Sequence, residues 1–75
     1  MPYIRMKCYP KDDAVKKEFV EKLNALLLET WGCPPTAVTV SIEEIPKEEW
    51  EEKVLKPEII PNMDKMMIVS GEKKY

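Results

Sequence analysis

Two short alternating runs with one long amphipathic stretch between them leave this chain very few folds. From Tyr3 to Tyr9, the residues Ile4, Met6 and Cys8 fall on one face and Tyr3, Arg5, Lys7 and Tyr9 on the other, the period of a half-buried strand. From Ala37 to Ile45, Val38, Val40 and Ile42 alternate in the same way with Thr39, Ser41 and Glu43. Between the runs, Val15, Phe19, Leu23, Leu26, Leu27 and Thr30 recur at helical spacing, with charged residues from Lys16 to Glu29 filling the other side. That pattern predicts one helix of about five turns. Asp12 or Asp13 suits its N-cap, Gly32 suits its C-terminal end, and Pro34 and Pro35 forbid continuation. A helix of this length carries the chain back along the first strand. The two strands are therefore expected to be parallel, with a right-handed crossover.

Beyond Pro46, which ends the second strand, the signals are shorter. Lys47 to Lys56 reads as a highly charged helix with Trp50, Val54 and Leu55 as its apolar positions. Pro57 and Pro61 are expected to break the chain. Pro61 to about Val69 is a second short helical candidate, with Met63, Met66 and Met67 apolar, and Gly71 to Tyr75 reads as a loose tail. The expected fold class is α/β (α+β): a β-α-β unit with a parallel two-stranded sheet, a long helix and short C-terminal helices, all in a single domain over 1–75.

Such a unit is too small to be self-sufficient. A chain of 75 residues buries only about 60% of its unfolded surface, and a two-stranded sheet leaves its edges and one face open. Metal does not fill the gap: there is no His, and Cys8 and Cys33 lack CxxC spacing. A reduced cysteine pair is expected, a single Cys8–Cys33 disulfide being the alternative. Association with copies of itself is the remaining source of stability, most simply a homodimer that joins two units into a four-stranded sheet.

Charge narrows the partners. Fourteen acidic residues stand against 12 basic ones, for a net charge of −2, and no basic patch rises above its acidic neighbours, so nucleic acid is not expected. No apolar run approaches the roughly 18 residues of a membrane span, and the start lacks a signal-peptide core. The expectation is a soluble, cytoplasmic protein without a membrane partner.

The ordered set MPYIRMKCYPK, TWGCPPTAVTVSIEEI, PKEEWEE and KPEIIPNM resembles, over the whole chain, the 4-oxalocrotonate tautomerase family. These are small enzymes with a catalytic amino-terminal proline, and the likeness is nearest to the dimeric bacterial branch. The resemblance implies that Met1 is removed and that the Pro2 nitrogen becomes the general base. It would take a proton from an enol or dienol and return it at carbon. The chemistry suits a secondary amine held in one conformation: a free α-amino group already titrates near 8, and burial or nearby cations lower that further. The resemblance also implies that no cofactor and no metal are used.

Other roles follow from the same resemblance. Lys11, in YPKDD, stands where the dimeric branch places a cation for the substrate carboxylate. Thr39 stands where hexameric members carry an arginine on the second strand, so that role is missing or moved, with Arg5 and Lys7 as substitutes on the polar face of the first strand. Trp50 matches the aromatic wall of the pocket. With one cation in place of two, the expected substrate is a 2-hydroxy-dienoate or an arylenolpyruvate-type 2-oxo acid. A monocarboxylate enol with an aromatic or apolar tail fits better than a dicarboxylated dienol. Glu51 and Glu52 read first as a solvated face, and water-activating chemistry there is the lesser reading. Met63, Met66 and Met67 read as packing, and as pocket floor only if the last helix folds over it. Two function classes are carried forward: a cofactor-free keto-enol tautomerase, and a non-catalytic oligomeric scaffold that keeps the fold. The self-association is expected to be a dimer, with a hexamer as the alternative.

Overall fold

A computed structural model describes every residue from Met1 to Tyr75. The two alternating runs form β1, Tyr3–Cys8, and β2, Thr39–Glu44. They pair in parallel, Tyr3 against Thr39 through Cys8 against Glu44. The ladder is extended at both ends: Thr39 N–H donates to the Pro2 carbonyl at 3.1 Å, and Ile45 N–H to the Cys8 carbonyl at 2.8 Å. The crossover is α1, Asp13–Trp31. Asp12 is its cap, accepting the Ala14 N–H on Oδ1 at 3.4 Å, and Gly32 closes it at φ 64° in the left-handed region. A single 3-10 turn, Pro35–Ala37, then leads into β2. This is the β-α-β arrangement of a mixed α+β fold, with the parallel pair expected from the sequence.

The face that α1 buries differs from the expected stripe. Lys16, Val20, Leu23, Asn24, Leu27 and Leu28 are the half-buried or buried positions, whereas Val15, Phe19 and Leu26 remain 55%, 41% and 56% exposed. The reason is width. Two strands lie only about 5 Å apart, and such a narrow platform does not cover an apolar face that spans 100° or more of a helix. That part of the stripe is left partly open to solvent.

The chain divides into two compact units, Met1–Ile45 and Pro46–Tyr75. In the first, Leu27, Ala37 and Ile45 are the buried apolar residues; in the second, Val54 is. The second unit corrects the sequence reading in three places. Helical structure runs through Pro57 instead of stopping there: a 3-10 turn at Lys47–Glu49 leads to a π-helix at Glu51–Ile59, and a 3-10 segment follows at Ile60–Lys65. The ladder continues past Pro57 because the Ile60 N–H bonds to the Leu55 carbonyl. Near Pro61, the Asn62 Nδ2 amide donates to the Glu58 carbonyl at 2.8 Å. The helical candidate after Pro61 ends at Lys65. The tail is also not loose: β3, Ile68–Val69, pairs antiparallel with β4, Glu72–Lys73. Ser70 and Gly71 make the turn at φ 48° and 82°, the paired positive values of a type I′ hairpin.

Candidate active site

Pro2 is buried at the head of β1, while Met1 ahead of it is 96% exposed. Proline has no N–H to give to a ladder, so its carbonyl makes the bond, accepting from Thr39. The structure therefore brings two of the residues named from the sequence together, Pro2 and Thr39. Thr39 is exposed and shares a sheet face with Tyr3, Arg5 and Lys7, because Tyr3 pairs with Thr39, Arg5 with Ser41 and Lys7 with Glu43. Arg5 lies one diagonal step from Thr39 and is exposed; Lys7 is half-buried and has Glu43 directly opposite. Of the two substitute cations, Arg5 is the better placed for the Pro2 end.

Lys11 lies elsewhere. Pro2 and Cys8 are six residue steps apart, which at strand rise is about 20 Å, and Lys11 follows beyond Cys8. Its backbone N–H donates to Glu44 Oε2 at 2.7 Å, at the opposite end of the sheet from Pro2. Within one protomer Lys11 and Pro2 therefore do not share a pocket. Nothing in the sequence singles out Glu44 as the residue that fixes Lys11, since it is one of many carboxylates and only the register places it there. Glu44 Oε2 also lies 3.3 Å from Lys16 Nζ, which is 3.1 Å from Asp13 Oδ1. The Lys11 N–H, then the Lys16 ammonium, hold the Glu44 carboxyl below its ordinary range. Asp13, then Glu44, hold the Lys16 ammonium above its own. Lys11 also borders a cavity of about 190 Å³ beside β1, lined by Met6, Cys8, Val15, Lys16, Phe19 and Ile42.

Trp50 stands between the first 3-10 turn and the π-helix of the second unit and is half-buried. It borders a cavity of about 330 Å³ made within that unit, together with Leu55, Ile59, Met63, Met66, Ile68, Val69 and Ser70. Two of the three methionines singled out in the sequence are cavity residues, while Met67 is 66% exposed. Glu51 and Glu52 are exposed, and Glu52 pairs with Lys56 at 2.8 Å, as a solvated helix face would. Cys8 and Cys33 are free thiols; the Cys33 thiol lies 3.7 Å from the Leu27 carbonyl. No three His, Cys, Asp or Glu side chains gather in a cluster able to hold a metal ion. No helix is long and apolar enough to cross a membrane.

A buried proline heading the first strand of a parallel β-α-β unit is the plan of the small tautomerases. The family model for tautomerase enzymes matches residues 2–53. Over 73 residues, the chain is 25% identical to tautomerase PptA of Enterobacter sp. (strain 638), covering 95% of this chain and 96% of that one. It is 30% identical over 60 residues to a probable tautomerase of Xylella fastidiosa, covering 79% and 73%. With 2-hydroxymuconate tautomerase of Pseudomonas putida it shares 42% over 40 residues, 53% and 64% of the two chains. The chain belongs to the tautomerase family, and its class is that of an isomerase that moves a proton between oxygen and carbon.

Proposed function

We propose that the protein ketonises the enol of a 2-oxo acid with Pro2 as general base, once Met1 has been removed. The observation that carries this reading is the position of Pro2: buried, tied by its carbonyl to Thr39, and preceded by an exposed methionine. Exposure of Met1 leaves the Met1–Pro2 bond open to an aminopeptidase. Removal turns the Pro2 nitrogen from an amide into a secondary amine. Burial disfavours the ammonium form of such an amine and keeps the free base available near neutral pH. The base accepts the enol O–H proton as the C=O bond forms, and the ammonium then delivers a proton to carbon, so that proton and electron pair balance without a cofactor.

Lys11 is assigned to the substrate carboxylate, acting from a second copy of the chain. The outer edge of β1 is unpaired. Joining two such edges across a two-fold axis runs them antiparallel and sets the Lys11 end of one beside the Pro2 end of the other. The same arrangement gives Val15, Phe19 and Leu26 a partner and makes the working unit a homodimer with a four-stranded sheet. Arg5 is the second-choice cation, Thr39 leaves the arginine position of the hexameric relatives unfilled, and Trp50 supplies the aromatic wall. The whole chain, 1–75, is taken as one functional domain. A dicarboxylated dienol such as 2-hydroxymuconate, named for the Pseudomonas relative, lacks a second cation here. A monocarboxylate enol with an aryl or apolar tail is therefore the preferred substrate.

Intact-mass measurement combined with an ultraviolet assay of enol ketonisation tests the reading. The mass should correspond to a chain starting at Pro2, and Pro2→Ala should lower kcat/KM by about a hundredfold or more, the usual worth of a positioned base. Unchanged activity in Pro2→Ala would remove Pro2 from the mechanism.

A further inference from the structure

Glu44 is the last residue of β2, and its carboxylate holds the loop that joins β1 to α1. That loop, residues 9–12, carries Lys11. Pro10 has no N–H to give. The Lys11 N–H goes to Glu44 Oε2, 2.7 Å away and 33 residues further along the chain. The acceptor has a firm base. Glu44 stands opposite Cys8 in the register, and the next residue, the buried Ile45, donates its N–H to the Cys8 carbonyl at 2.8 Å.

The same Oε2 lies 3.3 Å from Lys16 Nζ, and Lys16 lies 3.1 Å from Asp13 Oδ1. Glu44 thus ties together β2, the loop and the first turn of α1, all within Met1–Ile45. Its charge is met by Lys16, while Lys11 gives it a backbone N–H. This division has a chemical consequence. A carboxylate paired with the Lys11 ammonium would compete with a ligand carboxylate for it. A carboxylate that holds the Lys11 backbone fixes where the side chain starts and leaves the ammonium to a ligand.

We propose that Glu44 is a positioning residue for substrate binding: by holding the Lys11 backbone it sets the ammonium where the substrate carboxylate docks. The proposal rests on the carboxylate-binding role given to Lys11 above. A lysine needs such support more than an arginine does. Its ammonium is a point charge on a flexible stem, without the planar fork that orients a carboxylate. Where one such cation serves the site, orientation depends on where the stem is anchored. The second strand then contributes at both ends of the sheet: Thr39 anchors Pro2 at one end, and Glu44 anchors Lys11 at the other.

The test uses protein that starts at Pro2, as wild type, Glu44→Gln, Glu44→Ala and Lys11→Ala. Each is titrated calorimetrically with 3-phenylpropanoate and with its neutral counterpart, 3-phenylpropanamide. Gln keeps an oxygen that can accept the Lys11 N–H but loses the charge that meets Lys16; Ala loses both. Affinity for the carboxylate should fall about tenfold in Glu44→Ala and stay within about threefold of wild type in Glu44→Gln. Affinity for the amide should be the same in every protein. In the enol assay, Glu44→Ala should raise KM by about tenfold and leave kcat within about threefold. Adding Glu44→Ala to Lys11→Ala should cause no further loss of carboxylate affinity, because the two residues act as one. Both Glu44 variants lose the Lys16 pair, so affinity that merely followed stability would fall in both. Equal losses in Glu44→Gln and Glu44→Ala, an equal loss for the amide probe, or an unchanged KM in Glu44→Ala would overturn the proposal. Lys11→Ala separates that failure from a failure of the reading beneath it. Weakened carboxylate binding in Lys11→Ala, with none in Glu44→Ala, overturns the positioning role alone. Unchanged binding in Lys11→Ala overturns the role of Lys11 and the proposal with it.

Discussion

Thr39 donates its backbone N–H to the carbonyl of Pro2 over 3.1 Å. This one bond makes a residue that cannot donate to a ladder into the first rung of the sheet, and it sets the amino terminus beside the second strand. Because the backbone makes the bond, the Thr39 side chain is free to change. Thr39→Arg should keep the anchor and add an arginine on the exposed sheet face at the Pro2 end. A charge-assisted contact to a second carboxylate is worth about 1.5–3 kcal/mol. The variant should therefore raise kcat/KM on a dicarboxylated dienol by about tenfold or more relative to an arylenolpyruvate, as measured by parallel ketonisation assays.

If Lys11 acts from a second copy, two inactive chains should repair each other. Pro2→Ala and Lys11→Ala proteins, mixed after reversible dissociation, should recover about a quarter of wild-type activity. Half the dimers are then mixed, and each has one intact site. No recovery would place Lys11 outside the partner's site.

The exposed apolar stripe of α1 predicts its own sensitivity. Phe19→Glu puts a charge where Val15 and Leu26 flank a half-exposed ring. It should shift sedimentation from two protomers towards one and remove activity along with the dimer. A wild-type mass near six protomers would replace the dimer by the hexameric arrangement.

How much of this was legible beforehand follows a physical line. Alternation and helical spacing are local properties, so β1, α1 and β2 could be read from Ile4, Val40 and their neighbours, and the ends of the helix from Asp12 and Gly32. Which face of α1 is buried could not be read, because it depends on the width of a two-stranded sheet. Pro57 misled because proline removes one donor but does not stop a helix whose later N–H groups find acceptors. The hairpin had a signal, the dipeptide Ser70–Gly71, hidden in a stretch too short to show alternation. The roles proposed for Pro2, Lys11 and Trp50 rest on resemblance, since no spacing in one chain joins a residue at each end of a sheet.

Acid should loosen the far end of the sheet. Glu44 has a carboxyl pKa held below its ordinary value of 4.5 by the Lys11 N–H and the Lys16 ammonium. Its contribution to stability is therefore fully present above about pH 4.5 and is lost as pH falls through the depressed folded value. Thermal melts of wild type and Glu44→Gln should differ near neutrality and converge below that value. A constant difference at every pH would show that the charge of Glu44 plays no part.

At Gly32 the backbone sits at φ 64° with nothing within 4 Å of where a Cβ would stand. The cost of a side chain there is conformational and free of crowding. Gly32→Ala should lower stability by about 1 kcal/mol, read from urea denaturation as a lower midpoint at an unchanged slope.

In the proposed mechanism the working base is the Pro2 amine and nothing else in the chain. The direct measurement compares ketonisation by protein whose mass shows Pro2 at the amino terminus with protein that retains one extra residue ahead of it. In the second chain the Pro2 nitrogen is an amide, and the only α-amino group belongs to the extra residue. Retention is expected to lower kcat/KM by about a hundredfold or more. Equal rates from the two forms would contradict it.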